Sequence, residues 1–156
     1  MGVSGCGKST VGRALAATLG WPLLDADEFH PPENVAKMAA GIPLTDADRG
    51  PWLDKVAGEL ARFRDAGAHA VLACSALKQV YRDRLASGGE VRFVHLKGDP
   101  GTIAARLAQR RHKYMPASLL ASQFATLEEP GDALCVDIGQ SVEDEVAAIR
   151  VGLALA

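Results

Sequence analysis

Short apolar runs alternate along this chain with segments whose apolar positions recur every three or four residues. Leu23-Leu24-Asp25 and residues 70–74, 91–96 and 133–138 are brief, nearly unbroken apolar runs. Such runs predict strands covered on both faces. The intervening stretches carry helical stripes: Val11, Leu15, Ala16 and Leu19; Trp52, Val56, Leu60 and Phe63; Leu120, Phe124 and Leu127; Val142, Val146, Ile149 and Leu153. At that spacing each set lines one helix face and predicts a core contact. Punctuation agrees. Gly67 stops the second stripe, Asp99-Pro100 pairs an N-cap with a proline at the first helical position, Pro130-Gly131 breaks the third stripe, and Ser141-Val142-Glu143-Asp144 reads as a capping box. The alternation predicts an α/β fold with a mainly parallel sheet.

Composition narrows the picture. The 156 residues, 48% hydrophobic and 23% charged, suit one compact domain spanning 1–156. A net charge of −2 gives no electrostatic reason to expect a nucleic-acid partner. No apolar run is long enough to span a membrane and no leader peptide is visible, so the expected setting is cytoplasmic. Cys6, Cys74 and Cys135 show no C-x-x-C spacing, and read as small buried or loop residues in a reducing compartment.

The chemistry begins at residue 2. Gly2-Val3-Ser4-Gly5-Cys6-Gly7-Lys8-Ser9 fits G-x-x-x-x-G-K-[ST] at each fixed position and runs into the first helical stripe. Glycines let the backbone curl so that successive N–H groups face an anion, and the helix N-terminus adds its own donors. Lys8 reaches the outer phosphates as a mobile charge, and the Ser9 hydroxyl suits Mg²⁺. Asp25 and Asp27 end the first apolar run after this loop. Two residues apart on an extended segment, they would face one side, beside the phosphates. One carboxylate would serve the metal's water shell and the other a substrate hydroxyl. The run 70–74 ends in Ser75 rather than Asp, so Asp25 is the better metal candidate. Arg106 and Arg110 share a helix face, with Arg111 beyond, and precede His112-Lys113-Tyr114-Met115-Pro116. They are either a solvated basic face or part of a mobile lid near 109–118 that carries guanidinium groups to the transferring phosphoryl.

Several segments together resemble the thermoresistant-type gluconokinases, small phosphate-loop kinases related in fold to shikimate and nucleoside monophosphate kinases. They are MGVSGCGKST at 1–10, DADEFHPPENVAKMAAGIPLTDADRGPWL at 25–53, CSALKQVYRDRL at 74–85, HLKGDP at 95–100 and SQFATLEEP at 122–130. The resemblance implies a P-loop fold, three layers α/β/α, with a parallel sheet of order 2-3-1-4-5 and a lid. It implies ATP-dependent phosphorylation of D-gluconate at the 6-hydroxyl, with Mg²⁺, commonly in a homodimer. Carried onto this sequence, it puts the nucleotide on Gly2, Gly5, Cys6, Gly7, Lys8, Ser9, Thr10, Arg106 and Arg110, and the metal on Ser9 and Asp25. Lys8, Asp27 and Arg110 are the expected catalytic groups. Substrate contacts are expected from Asp27, His30, Lys37, Arg49, Ser75, Lys78, Arg82 and Gln123, and which cation meets the substrate carboxylate is left open. Trp52 is expected to pack beside Arg49. Where the family often shows Gly-His-Phe-Met-Pro in its lid, this chain has His112-Lys113-Tyr114-Met115-Pro116, and no role is assigned to position 113.

Only Met1 precedes the loop, whereas relatives have several apolar residues there, forming the central strand of the implied sheet. The expectation is a truncated first strand and a natural protein that begins upstream. Neighbouring strands would then lose hydrogen-bond partners at about 1–3 kcal/mol for each buried unpaired group. Two alternatives to gluconate phosphorylation follow: a kinase for another small hydroxy acid such as shikimate, or for a nucleotide; and a nucleotide-binding module inactive for want of that strand.

Overall fold

Gly5 and Gly7 take left-handed φ values of 83° and 103°. The tight turn they make delivers the chain into helix α1 (Lys8–Leu19). A Cβ on Gly5 would stand 2.7 Å from Leu107 Cγ, so neither the dihedral nor the space accepts a side chain. The structure is a computed structural model, which describes residues 1–87, 89–109 and 119–155. After α1 come β1 (Leu23–Asp25), a 3-10 turn (Ala26–Phe29), α2 (Pro32–Ala39), α3 (Asp46–Asp65), β2 (Val71–Ala73) and α4 (Gln79–Ala86). Then follow β3 (Val94–Lys97), α5 (Pro100–Ala108), α6 (Leu120–Thr126), β4 (Leu134–Asp137) and α7 (Val142–Gly152).

The strands and stripes read from the sequence are present, shortened at their ends. Helices α2 and α4 are additions. Neither has a long apolar stripe, and each buries only one turn-spaced set: Asn34 and Met38 in α2, and Tyr81, Arg82 and Leu85 in α4. The Asp99 cap is formed, its carboxylate accepting from Thr102 N at 2.9 Å with Pro100 at the first turn. At Ser141 the hydroxyl accepts from Asp144 N, but the reciprocal bond runs from the Ser141 hydroxyl to the Asp144 carboxylate rather than from its N–H. The reciprocal capping box is elsewhere, at Thr45 and Asp48, opening α3.

Strand alternation builds two cores. Val71 and Val94 pack with one cluster, which includes Val11, Leu15, Ile103, Leu107, Val146 and Ile149 from α1, α5 and α7. Their neighbours Leu72 and Phe93 pack with the other, built on Trp52, Leu53, Val56, Tyr81 and Leu85 from α3 and α4. Successive side chains point to opposite faces, so the strands lie between two helical layers.

Among the described residues a continuous five-stranded sheet is not observed. The described strands form two parallel pairs, β1 with β2 (Leu23 opposite Val71, Asp25 opposite Ala73) and β3 with β4 (Val94 opposite Leu134, Lys97 opposite Asp137). Met1 and Gly2 lie between the pairs. The Met1 carbonyl accepts from Leu96 N at 3.0 Å, Met1 N donates to Val94 O, and Gly2 N donates to Ser75 O at 3.1 Å. Their place is that of the central strand in the expected order, and the flanking pairs match that order. Met1 thus bonds Val94 and Leu96 of β3 and Gly2 bonds Ser75 just after β2, but two residues do not make a ladder. The remaining space is a cavity of ≈ 670 Å³, lined in part by Leu60, Phe63, Leu72, Phe93 and Val94. The consequence for function is that the phosphate loop is tied to both halves of the fold through residues 1 and 2.

Asp99→Ala removes the α5 cap. It is expected to lower the unfolding free energy by about 1 kcal/mol with an unchanged urea m-value.

Candidate active site

The N-terminus of α1 is bare in the way an anion site requires. Gly7 caps it with no side chain, and no acidic residue occupies its first turn. Cys6 is fully buried beneath the loop, with its N–H turned to Val3 O at 3.4 Å. Lys8 folds back so that Nζ donates to Val3 O at 3.0 Å, spanning the loop it would leave to meet a phosphate. Ser9 and Thr10 are exposed at the start of the helix.

Asp25 joins this loop to the next group. Its Oδ2 accepts from the Ser9 hydroxyl at 2.9 Å, and its Oδ1 accepts from Asp27 N at 3.1 Å. The expected extended Asp-x-Asp geometry is corrected here. The chain leaves β1 at Asp25 and enters the 3-10 turn, so Asp25 is an N-cap and Asp27 lies in the first turn. Asp27 is tied to Asp25 because the Asp25 carboxylate caps its backbone N–H, not because the two share a strand face.

From Asp27 a polar path runs away from the phosphate loop. His30 Nε2 lies 4.0 Å from Asp27 Oδ1, and its ring stacks on Trp52 at 4.2 Å between centroids and 14° between planes. Trp52 is buried, and its indole N–H donates to Ala26 O at 2.6 Å, holding the 3-10 turn that carries Asp27. It packs in the core and against the His30 ring, and in addition it positions this turn. Buried Asn34 meets His30 Nδ1 at 3.4 Å and donates to Asp48 O at 2.9 Å. Lys37 donates to Asp48 Oδ1 at 2.7 Å.

Beyond lies a cluster built from α3 and α4. Lys78 Nζ donates to both oxygens of Asp46, at 2.9 and 2.8 Å, and the Tyr81 hydroxyl donates to Asp46 Oδ1. Arg49 donates to Leu44 O at 2.5 Å and to the Tyr81 oxygen at 3.4 Å, with Nη1 4.0 Å from Asp46 Oδ1. Arg49 and Lys78 also lie 5.6 and 5.7 Å from the centroid of the Tyr81 ring.

Four candidates stand apart from this cluster. Arg82 is buried, and its guanidinium is committed to Ala76 O, Leu77 O and the Gln79 side chain, so it braces the 74–79 loop instead of facing an open site. Gln123 Oε1 accepts from Ser4 N at 2.6 Å, which places it against the phosphate loop. Arg106 donates to Ile138 O at 2.6 Å. Ser75 follows β2 and accepts from Gly2 N. Arg110 and the lid residues 110–118 lie outside the described residues. Asn34, Asp46, Asp48 and Tyr81 joined the site without being singled out in the sequence. For Asp48 a signal existed in the Thr45-x-x-Asp48 capping pattern; for Asp46 and Tyr81 none did, because their partners are 32 and 35 residues away.

The electrostatics follow these contacts. The Lys37 ammonium, with Thr45, holds the Asp48 carboxyl down at about 2. Lys78 and then Tyr81 lower the Asp46 carboxyl, and Asp46 in turn raises Lys78. Burial, and then the nearby Arg49 charge, push His30 down to about 4. A histidine depressed in the folded state is protonated first in the unfolded chain. Its contribution is therefore complete above about pH 6.5 and falls as pH drops toward 4. Urea unfolding at pH 7 and pH 5 is expected to show this loss, and His30→Gln to flatten it.

Comparison with known proteins places this geometry. A family description for shikimate kinase matches residues 4–129. Gluconokinase of Gluconobacter oxydans is 53% identical over 133 residues, covering 85% of this chain and 75% of that protein. The crystal structure of a gluconokinase from Sinorhizobium meliloti superposes with a TM-score of 0.87 at 45% identity, covering 99% of this chain and 89% of that one. An unliganded sugar kinase from Janibacter superposes with a TM-score of 0.93 at 44% identity, covering 100% and 92%. Phosphate loop, capping aspartate and fold together with these likenesses establish that the chain belongs to the gluconokinase family of P-loop kinases.

Proposed function

We propose that this chain transfers the γ-phosphoryl group of ATP to the 6-hydroxyl of D-gluconate, giving 6-phosphogluconate and ADP. The observation that carries the reading is the series of polar groups from Ser9 through Asp25 and Asp27 to His30, which feels the charge of Arg49 from the Lys78–Tyr81 cluster. A phosphate cradle stands at one end and carboxylate-binding donors at the other, as a substrate with a hydroxyl at one end and a carboxylate at the other requires. Gluconate and ATP are the proposed partners, and a cytoplasmic homodimer the proposed setting.

In this reading the loop N–H groups and the α1 terminus hold the nucleotide phosphates, and Lys8 exchanges Val3 O for phosphate oxygens. Ser9 Oγ and Asp25 Oδ2, 2.9 Å apart, are oxygen donors suited to a hard cation that keeps most of its water. Mg²⁺ bound there would neutralise charge on the phosphates. Asp27 orients the acceptor hydroxyl and takes its proton late in the in-line transfer. The Trp52 indole fixes Asp27 by holding Ala26, which supplies orientation that a free loop would lack. Arg110 stabilises the moving phosphoryl group and Arg106 contributes on the nucleotide side.

The test is ADP release with ATP and a panel of gluconate, shikimate, other sugar acids and nucleoside monophosphates. Gluconate is expected to be the preferred acceptor; preference for another acceptor overturns the assignment. Asp27→Asn is expected to lower kcat by about 10²- to 10⁴-fold with ATP affinity retained, and turnover near that of the unmutated chain would remove Asp27 from its role.

A further inference from the structure

The acceptor-side donors already hold a carboxylate. Asp46 presents two oxygens to Lys78 Nζ at 2.9 and 2.8 Å, accepts the Tyr81 hydroxyl, and lies 4.0 Å from Arg49 Nη1. Two cations and a phenol around one carboxylate are the donor set that a sugar acid needs. Resting on the gluconokinase reading, we propose that Asp46 is an internal stand-in for the substrate carboxylate, which displaces it from Lys78 and Tyr81 on binding, so that Asp46 sets the selectivity of this site for acids.

The two sides of the contact differ in freedom. The donors are fixed: Tyr81 is buried, and Arg82, also buried, ties the Ala76 and Leu77 carbonyls that lead to Lys78 at the N-cap of α4. Asp46 is exposed, with its side chain at 63% of full accessibility. It lies in the first turn of α3, where the positive end of the helix dipole favours its charge when the side chain swings out. The neighbouring Asp48 has no such freedom. It accepts from Thr45 N and Lys37, and the capping box that opens α3 depends on it, so Asp46 can leave without unwinding the helix.

The exchange is neutral in charge. An incoming carboxylate restores to Lys78 what the departing Asp46 removes, and Asp46 regains water. A neutral polyol offers Lys78 no such replacement, so the Asp46 pair stays closed against it. Affinity for the acid is then set below its unopposed value by the strength of the internal pair. Exposed pairs of this kind are worth modest amounts, corresponding to about two- to fivefold in an equilibrium constant.

Asp46→Asn and Asp46→Ala test the exchange. The gluconate KM is expected to fall about two- to fivefold in both, the ATP KM to stay in place, and the rise in melting temperature on saturation with gluconate to exceed that of the unmutated chain. Asp46→Glu retains the competing charge and is expected to show no fall in KM. A gluconate KM that is unchanged or raised in the Asn and Ala variants, with no larger melting shift, overturns the proposal and makes Asp46 a positioning residue for Lys78. The melting shift is read without turnover, so it decides the exchange even where ADP release is absent, while ADP release by the unmutated chain decides the kinase reading alone.

Discussion

The Asp25 carboxylate is the contact on which the rest of the site depends. One oxygen takes the Ser9 hydroxyl from the start of α1, and the other takes the backbone N–H of Asp27. A single side chain therefore sets the register between the phosphate loop and the carboxylate proposed to meet the acceptor. It can do so because β1 ends there. Asp25 is paired to Ala73 of β2 through its backbone, and its side chain is left to cap the 3-10 turn. Trp52 reinforces the same turn from below through Ala26.

The phosphate loop is held from both sides by very little backbone. Met1 bonds β3 at two points and Gly2 bonds the segment after β2 at one. A pocket lined in part by Leu72, Phe93 and Val94 lies beside these contacts. Side chains from both helical layers pack against the strands on either side of these residues.

Much of the site was legible in the sequence, for different physical reasons. The phosphate loop was readable because its conformation is dictated locally: Gly5 and Gly7 need left-handed dihedrals, and the helix follows at once. Asp25 and Asp27 were readable as a pair, but the extended geometry assumed for them was wrong, since a capping side chain can turn the backbone within one residue. Arg82 looked like an acceptor-side cation. Its burial against Ala76 and Leu77 carbonyls could not be seen from a sequence in which arginines are normally exposed. Helices α2 and α4 leave no stripe in the sequence because each presents little more than one apolar turn.

By itself the sequence determined the features that rest on near neighbours: the loop chemistry, the four strand runs, the helical stripes, and the Asp99 and Ser141 caps. These depend on dihedral preference, on the 2.0 and 3.6 residue periods and on bonds spanning three or four residues. Only the tertiary structure decided which cation meets which carboxylate. Lys78 and Asp46 are 32 residues apart, and Trp52 and Ala26 are 26 apart. Their partners are chosen by how α3 and α4 pack across the strands, and a long side chain commits to one of several equally charged neighbours only when that packing is in place.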